Sequence, residues 1–431
     1  MRASRDPQSL SRLPWWTSPT GLTLGFLLPM LLLIAYAGAA NFSGLTVRGV
    51  PFLSTQYLLL GAGALLVIAI TGWIGSQIVV RRSPRPGPDT YSWDRAALSV
   101  GVIALLAYLI FFKDFLASPS LLIHTLTGAY RPDRTSLELT VGVTSLENFG
   151  PVFFSLYAYR VIYLGVGMRR VTHILCLVLL CLTAFRVYAW SERLALIEAV
   201  VPFGLAGAAW LSRTSGAIPR LITRGGPFVA MPALILYFGA AEYVRSWQSA
   251  TYNGRSGFWE FTIGRLASYY YTSLNNGAGL LATGTWPRFR FEYTLSWLHR
   301  APLVGHKFSS YVDFYGDSTT PFLKKFGDLE FNNPSGLFSV VYDLGLPLAA
   351  VYFAVLGLAA GMLFRAFRAN SFAGALWYPL LFLTLLEIFR YPYMGASRGF
   401  TWAVGIGFAA VVGRRWFARR TTEYTPEPLL G

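Results

Sequence analysis

Long apolar runs recur along this chain, broken by short segments that carry arginine, glycine or proline. A bilayer core about 30 Å thick needs roughly 20 apolar residues of helix. On that length the pattern predicts ten spans, over residues 20–40, 55–80, 94–112, 141–161, 171–190, 194–212, 226–243, 345–364, 371–389 and 399–413. The run 141–161 is atypical, because it contains Glu147, Asn148 and Pro151 and needs neighbours to satisfy its backbone. Residues 335–347, joined to the span that follows, make a helix of about 45 Å, too long for one untilted crossing. Gly345 and Pro347 predict a break there, with a short helix carrying Asp343 ahead of the span proper.

Between the seventh and eighth runs lies the one long polar stretch, 244–335. The predicted fold class is therefore all-α: a polytopic integral membrane protein with about ten transmembrane helices and one large outer-face loop. Its parts are an N-terminal helical region 1–243, the loop 244–335, C-terminal helices 336–420 and a short tail 421–431. Charge supplies the orientation. With the N-terminus inside, the inner segments hold 19 of the 36 basic residues and the short outer loops hold eight. Arginine and lysine favour the cytoplasmic side, and long loops are largely exempt. Both termini are expected in the cytoplasm and the 244–335 loop outside.

Composition agrees with this. Of 431 residues, 54% are hydrophobic and 13% charged, against about 25% charged in a soluble domain. The net charge of +16 does not point to nucleic acid, because the basic residues sit at span ends. Cys176 and Cys181 both lie in an apolar run, which leaves no disulfide framework and no metal-ligand spacing. The first run ends without a small-residue cleavage pattern and is expected to stay as an anchor. No HExxH, CxxC, Walker or GxSxG pattern is present, so no metal and no nucleotide cofactor is expected.

Ionisable residues in or beside spans mark functional sites. Here they concentrate near the predicted outer ends: Glu147, Arg186, Glu192, Arg193, Glu198, Glu242, Arg245, Asp343, Glu387 and Arg390. Arg186 and Arg193 flank Glu192 in a short turn between two spans. A guanidinium fork binds phosphate or carboxylate with two bonds, so this turn suits a pyrophosphate, or an ordinary Arg–Glu pair at the interface. Arg245 follows the next outward run, and Arg265, Arg288 and Arg290 lie in the loop. Within SYYYTSLNNGAGL, Tyr270 is a candidate to stack on a sugar and Asn276 to bond its hydroxyls. The rival reading is interfacial tyrosines and an Asn-Asn-Gly turn. A glycosyl acceptor needs a general base; Asp343, Glu192, His299 and His306 are the candidates. Arg390, three residues after Glu387, and Arg398 either form the far wall of a pocket or a local pair.

The Arg186…Glu192-Arg193 turn, the large late loop and the stretch EFNNPSGLFSVVYDLGLPLAAVYFAVLG resemble the oligosaccharide repeat-unit polymerases, the Wzy-type O-antigen polymerases. The likeness of motifs covers 186–200 and 265–365. It implies a GT-C-like architecture in the bacterial inner membrane, with the loop in the periplasm. It also implies a metal-independent glycosyltransferase that joins undecaprenyl-pyrophosphate-linked oligosaccharides into O-antigen, capsule or exopolysaccharide. Arg186, Arg193 and Arg245 would then bind pyrophosphate, with Arg288 and Arg290 beside them. The expected partners are the lipid-linked oligosaccharide, membrane lipids, and a chain-length regulator and flippase of the same pathway. An O-antigen ligase, which moves glycan onto lipid A core, stays open, and the loop histidines favour it. A polysaccharide flippase or exporter predicts charges at mid-membrane and repeat symmetry, and a scaffold would not need a charged outer rim.

Overall fold

The computed structural model describes residues 13–44, 46–78, 90–127, 129–130, 140, 142–190, 192–243, 247, 257–301, 304–305, 307 and 318–421. Regular structure among them is entirely helical. The helices that position the candidate residues are α1 (Pro19–Ala40), α2 (Thr55–Gln77), α3 (Thr90–Phe111), α4 (Phe149–Ala158), α5 (Arg170–Trp190), α6 (Arg193–Leu211), α7 (Ala217–Glu242), α8 (Phe258–Thr283), α9 (Thr319–Phe326), α10 (Phe338–Arg368), α11 (Phe372–Leu386) and α12 (Ser397–Thr421). Among the described residues, seven helices are long and apolar enough to cross a membrane: α1, α2, α3, α5, α6, α7 and α10. They fall on seven of the predicted runs, and the chain is a multi-pass membrane protein. The other three runs are helical in different forms. Residues 141–161 hold a 3-10 turn (Thr144–Asn148), α4 and a π turn (Tyr159–Tyr163); α11 has 15 residues; the third run lies within α12.

The chain divides into two compact units. The first comprises 1–81, 208–374 and 380–400, and the second 82–207, 375–379 and 401–431.

In the first unit, α2 and α10 run side by side in the same direction. Glycines permit it. A Cβ added at Gly357 would lie 2.2 Å from the Thr71 hydroxyl, and one at Gly361 2.1 Å from the Gly72 carbonyl oxygen. One added at Gly75 would lie 2.3 Å from the Leu358 carbonyl oxygen. Small residues let helix backbones approach where lipid gives no hydrophobic drive to associate. Arg365 Nη1 closes the far end of this joint on the Ser76 carbonyl at 3.0 Å. α1 runs opposite to α2, with Thr20 Oγ1 on the Ala69 carbonyl at 3.0 Å. The break in α10 falls at Gly345, whose φ of 74° and ψ of 167° suit glycine almost alone.

α8 gives the predicted loop 244–335 a long helix that is not among those apolar enough to cross a membrane. It is 26 residues long and largely buried. It lies across one end of the unit, where α1 and α7 finish and α2 and α10 begin. Its first half meets α7, with Tyr269 against Phe238 at 5.6 Å. Its second half meets the others. Tyr271 fills the space over Gly38 of α1. Asn275 donates to the Val50 carbonyl at 2.8 Å and accepts from the Phe52 and Leu53 N–H groups just before α2. Gly277 lies against Pro334 and Phe338, where a Cβ would be 2.4 Å from the Pro334 carbonyl oxygen. The buried positions of α8 include Thr262, Ser268, Thr272, Ser273, Asn275 and Asn276. Low hydropathy therefore hid a helix whose polar side chains are buried inside the protein.

In the second unit, α3 packs against α4, the Thr144–Asn148 turn and α5. An aromatic cluster of Phe112, Phe115, Phe185 and Trp190 fills the end of this packing, with Phe112 and Trp190 stacked at 5.6 Å. Tyr108 bonds Thr183 across α3 and α5 at 3.1 Å.

Candidate functional site

In the first unit the charged residues gather at the end covered by α8. Arg265, one turn into the buried part of that helix, is 1% exposed and held between two carboxylates. Glu242, the last residue of α7, is fully buried and accepts from Arg265 Nε; Glu330 accepts from Nη2 and keeps a third of its side chain exposed. Phe331 follows Glu330 and is flanked by two guanidinium groups, Arg265 at 5.3 Å and Arg48 at 5.5 Å from its ring centre. Arg48 also reaches Asp328 at 3.7 Å. The turn 328–331 is closed by the Glu330 N–H on Asp328 Oδ1 at 2.9 Å. Asn276 anchors it from behind, donating to the Phe331 carbonyl at 2.7 Å and the Asn333 carbonyl at 3.2 Å. Tyr269 meets the Phe331 ring at 4.9 Å. Tyr270, half-buried, lies in the field of Glu387 and Arg390, which pair at 2.7 Å.

A second group sits at the break in α10. The Asp343 carboxylate is fully buried, and its Oδ2 accepts from the Tyr293 N–H at 2.9 Å, the Thr294 N–H at 2.8 Å and the Thr294 hydroxyl at 3.0 Å. The Arg288 and Phe289 N–H groups donate to the Tyr342 and Asp343 carbonyls at 3.0 and 2.8 Å. Asp343 thus pins the segment that carries Arg288, Arg290 and Glu292. Arg288 stacks over the Tyr342 ring at 5.8 Å, and its buried Nε has no hydrogen-bond partner among the described residues. Glu292 accepts from the Ser318 N–H and hydroxyl at 2.9 and 2.8 Å. Burial pushes the Glu292 carboxyl above the usual carboxylate range, opposed by the Ser318 bonds and Arg288 and reinforced by Asp343. Pro287 and Phe289, on either side of Arg288, line an apolar groove of about 370 Å³ with Trp286, Gly345, Leu346 and Pro347.

In the second unit Arg186 is 3% exposed at the end of α5. Its Nε and Nη2 each bond Glu192 Oε2 at 2.6 Å, and Nη1 meets Glu147 Oε1 at 2.9 Å. The guanidinium also faces the Phe111 ring at 5.0 Å. One buried cation serves two carboxylates, so Arg186 orients Glu147 and Glu192 directly.

The structure brings together Arg265, Tyr270, Asn276 and Arg390 in the first unit, and Arg186 with Glu192 in the second. Arg288 and Arg290 lie with Asp343, and His299 joins them by donating from Nε2 to the Arg290 carbonyl at 2.9 Å. Asn275 and Asn276 lie mid-helix, which corrects the reading of Asn-Asn-Gly as a turn. Arg193 is the first residue of α6, and its side chain lies outside the described set, as do Arg245 and His306. Arg398 is partly buried at the start of α12. Sequence reasoning missed Arg48 and Phe331. The only signal for Arg48 was a lone arginine in a short loop with no acid in it. Comparisons with protein-family models, with curated proteins and with solved structures find no match.

Proposed function

We propose that this protein is a membrane glycosyltransferase of the oligosaccharide repeat-unit polymerase type, acting on a lipid-pyrophosphate-linked glycan at the outer face of the bacterial inner membrane. One observation carries the reading: the apolar groove at the α10 break is lined by residues that alternate along the chain with Arg288, and Arg290 follows directly. An apolar slot beside cationic side chains suits a prenyl chain that ends in pyrophosphate. The groove lies at the end of the spans that the charge bias places outside.

In the proposed step an acceptor sugar hydroxyl attacks the anomeric carbon of the carrier-linked chain. A new glycosidic C–O bond forms, the C–O bond to pyrophosphate breaks, and undecaprenyl pyrophosphate leaves. The hydroxyl proton passes to a base, for which the chain offers Asp343, Glu192, His299 and His306. Arginines near the leaving group stabilise its developing charge. Two lipid-anchored substrates held in one plane supply proximity.

The test uses full-length protein in nanodiscs with one undecaprenyl-pyrophosphate-linked repeat unit and EDTA. A product ladder of regular spacing is expected, falling by about 100-fold in a folded Arg288→Ala variant, the scale of one lost oxyanion-type donor. Transfer onto added lipid A core without a ladder would make the protein a ligase. Neither product, across several repeat units, would overturn the reading.

A further inference from the structure

Two arginines of the first unit are covered by carboxylates that differ sharply in exposure. Glu242 is fully buried, whereas Glu330 and Asp328 keep 32% and 31% of their side chains exposed. Buried ion pairs are costly to break. Pairs with one partner open to solvent are held less firmly, because water can replace that partner. The turn that carries Asp328 and Glu330 is fixed on its other side by Asn276 and by the buried Phe331. The Glu330 carboxylate can therefore swing away while the turn stays in place, and Asp328 can release Arg48 from Oδ2 while Oδ1 keeps the Glu330 N–H. Arg265 would keep Glu242 and present Nη2. Arg48, 20% exposed and 3.7 Å from Asp328, would present its fork at the same Phe331 ring. Two guanidinium groups about one aromatic ring match a group with several anionic oxygens.

We propose that Arg48 and Arg265 form a binding site for a phosphate or pyrophosphate group, and that Asp328 and Glu330 occupy it until the anion displaces them. This goes beyond the proposed function, which seats the donor's pyrophosphate beside Arg288 and Arg290, because it gives a second anionic group a route to a buried arginine. The carboxylates keep the cations solvated by charge when no substrate is present, and displacement couples arrival of the anion to movement of two side chains on one turn.

Calorimetric titration of the full-length protein in phosphatidylcholine nanodiscs with inorganic pyrophosphate tests this without turnover. Glu330→Gln removes the competing charge, and affinity is expected to rise by about tenfold. Adding Arg48→Gln to that variant is expected to reverse the gain. Unchanged or weaker binding in monodisperse Glu330→Gln protein would overturn the proposal, as would a gain that Arg48→Gln leaves intact. If Glu330→Gln does not fold, Asp328→Asn takes its place, with a smaller rise expected and no rise overturning it. Repeating the titration with phosphatidylglycerol in the disc separates the sources: suppression assigns the site to a phospholipid headgroup, and no suppression to a soluble or carrier-linked pyrophosphate. A protein that yields no product ladder yet shows the Glu330→Gln gain keeps this site and loses the polymerase reading.

Discussion

Glu292 lies between opposing influences. It is buried and neighbours Asp343, yet Ser318 donates two hydrogen bonds to it. Because its carboxyl is raised, the folded protein binds that proton more tightly than the unfolded chain does. Stability from this group is complete below the unfolded value of about 4.3 and is lost as pH rises through the raised folded value. Glu292→Gln should remove that loss. Apparent unfolding midpoints in detergent from about pH 4 to about pH 8 should fall for the wild type relative to the variant; a constant difference would sink the assignment. The legibility of the charged residues follows from chain distance. Arg186 and Glu192 were readable as a pair because one short turn joins them. The partners of Arg265 lie 23 and 65 residues away, and no local pattern connects them. Asp343 was readable as an ionisable group near a span end, but its partners, the Tyr293 and Thr294 N–H groups and the Thr294 hydroxyl, lie about 50 residues away.

At the scale of elements, the contrast is between α10 and α8. The break in α10 was visible because Gly345 and Pro347 both disfavour a continuous helix. α8 was invisible because hydropathy measures the side chain and not its surroundings. Thr262, Ser268 and Asn276 lower the score of α8 wherever they point, and here they point inward. The α2–α10 joint makes a separate claim. Valine at Gly357 would meet the Thr71 hydroxyl and the Ile68 carbonyl oxygen. An overpacked site of this kind costs about 1–3 kcal/mol. Thermal unfolding in detergent should show Gly357→Val clearly destabilised, while Gly63→Ala, where an added Cβ meets nothing within 4 Å, should stay close to wild type. Equal behaviour of the two would refute close helix contact.

For the whole molecule, the arginine bias predicts the orientation and the apolar helices supply the crossings. Seven of ten predicted runs are recovered as helices of spanning length. The run 141–161 is instead assembled from a 3-10 turn, an α-helix and a π turn. Orientation has a direct test in a background lacking Cys176 and Cys181. Thr285→Cys, beyond the end of α8, should react with an impermeant maleimide in intact spheroplasts. Ser215→Cys, between α6 and α7, should react only after the membrane is opened. The reverse pattern would invert the topology and move the candidate residues to the cytoplasmic face.

The glycine joint between α2 and α10 also sets an order of manufacture. α2 leaves the ribosome early, and its partner is made more than half the chain later, after residues 82–207 of the other unit have emerged. Through that interval the small-residue face of α2 has only lipid or transient companions against it. The first unit cannot close until its last third has been inserted, while most of the second unit is already available to pack. A chain cut short before α10 would leave that face unpartnered, and quality control in the membrane would meet it as a half-built protein.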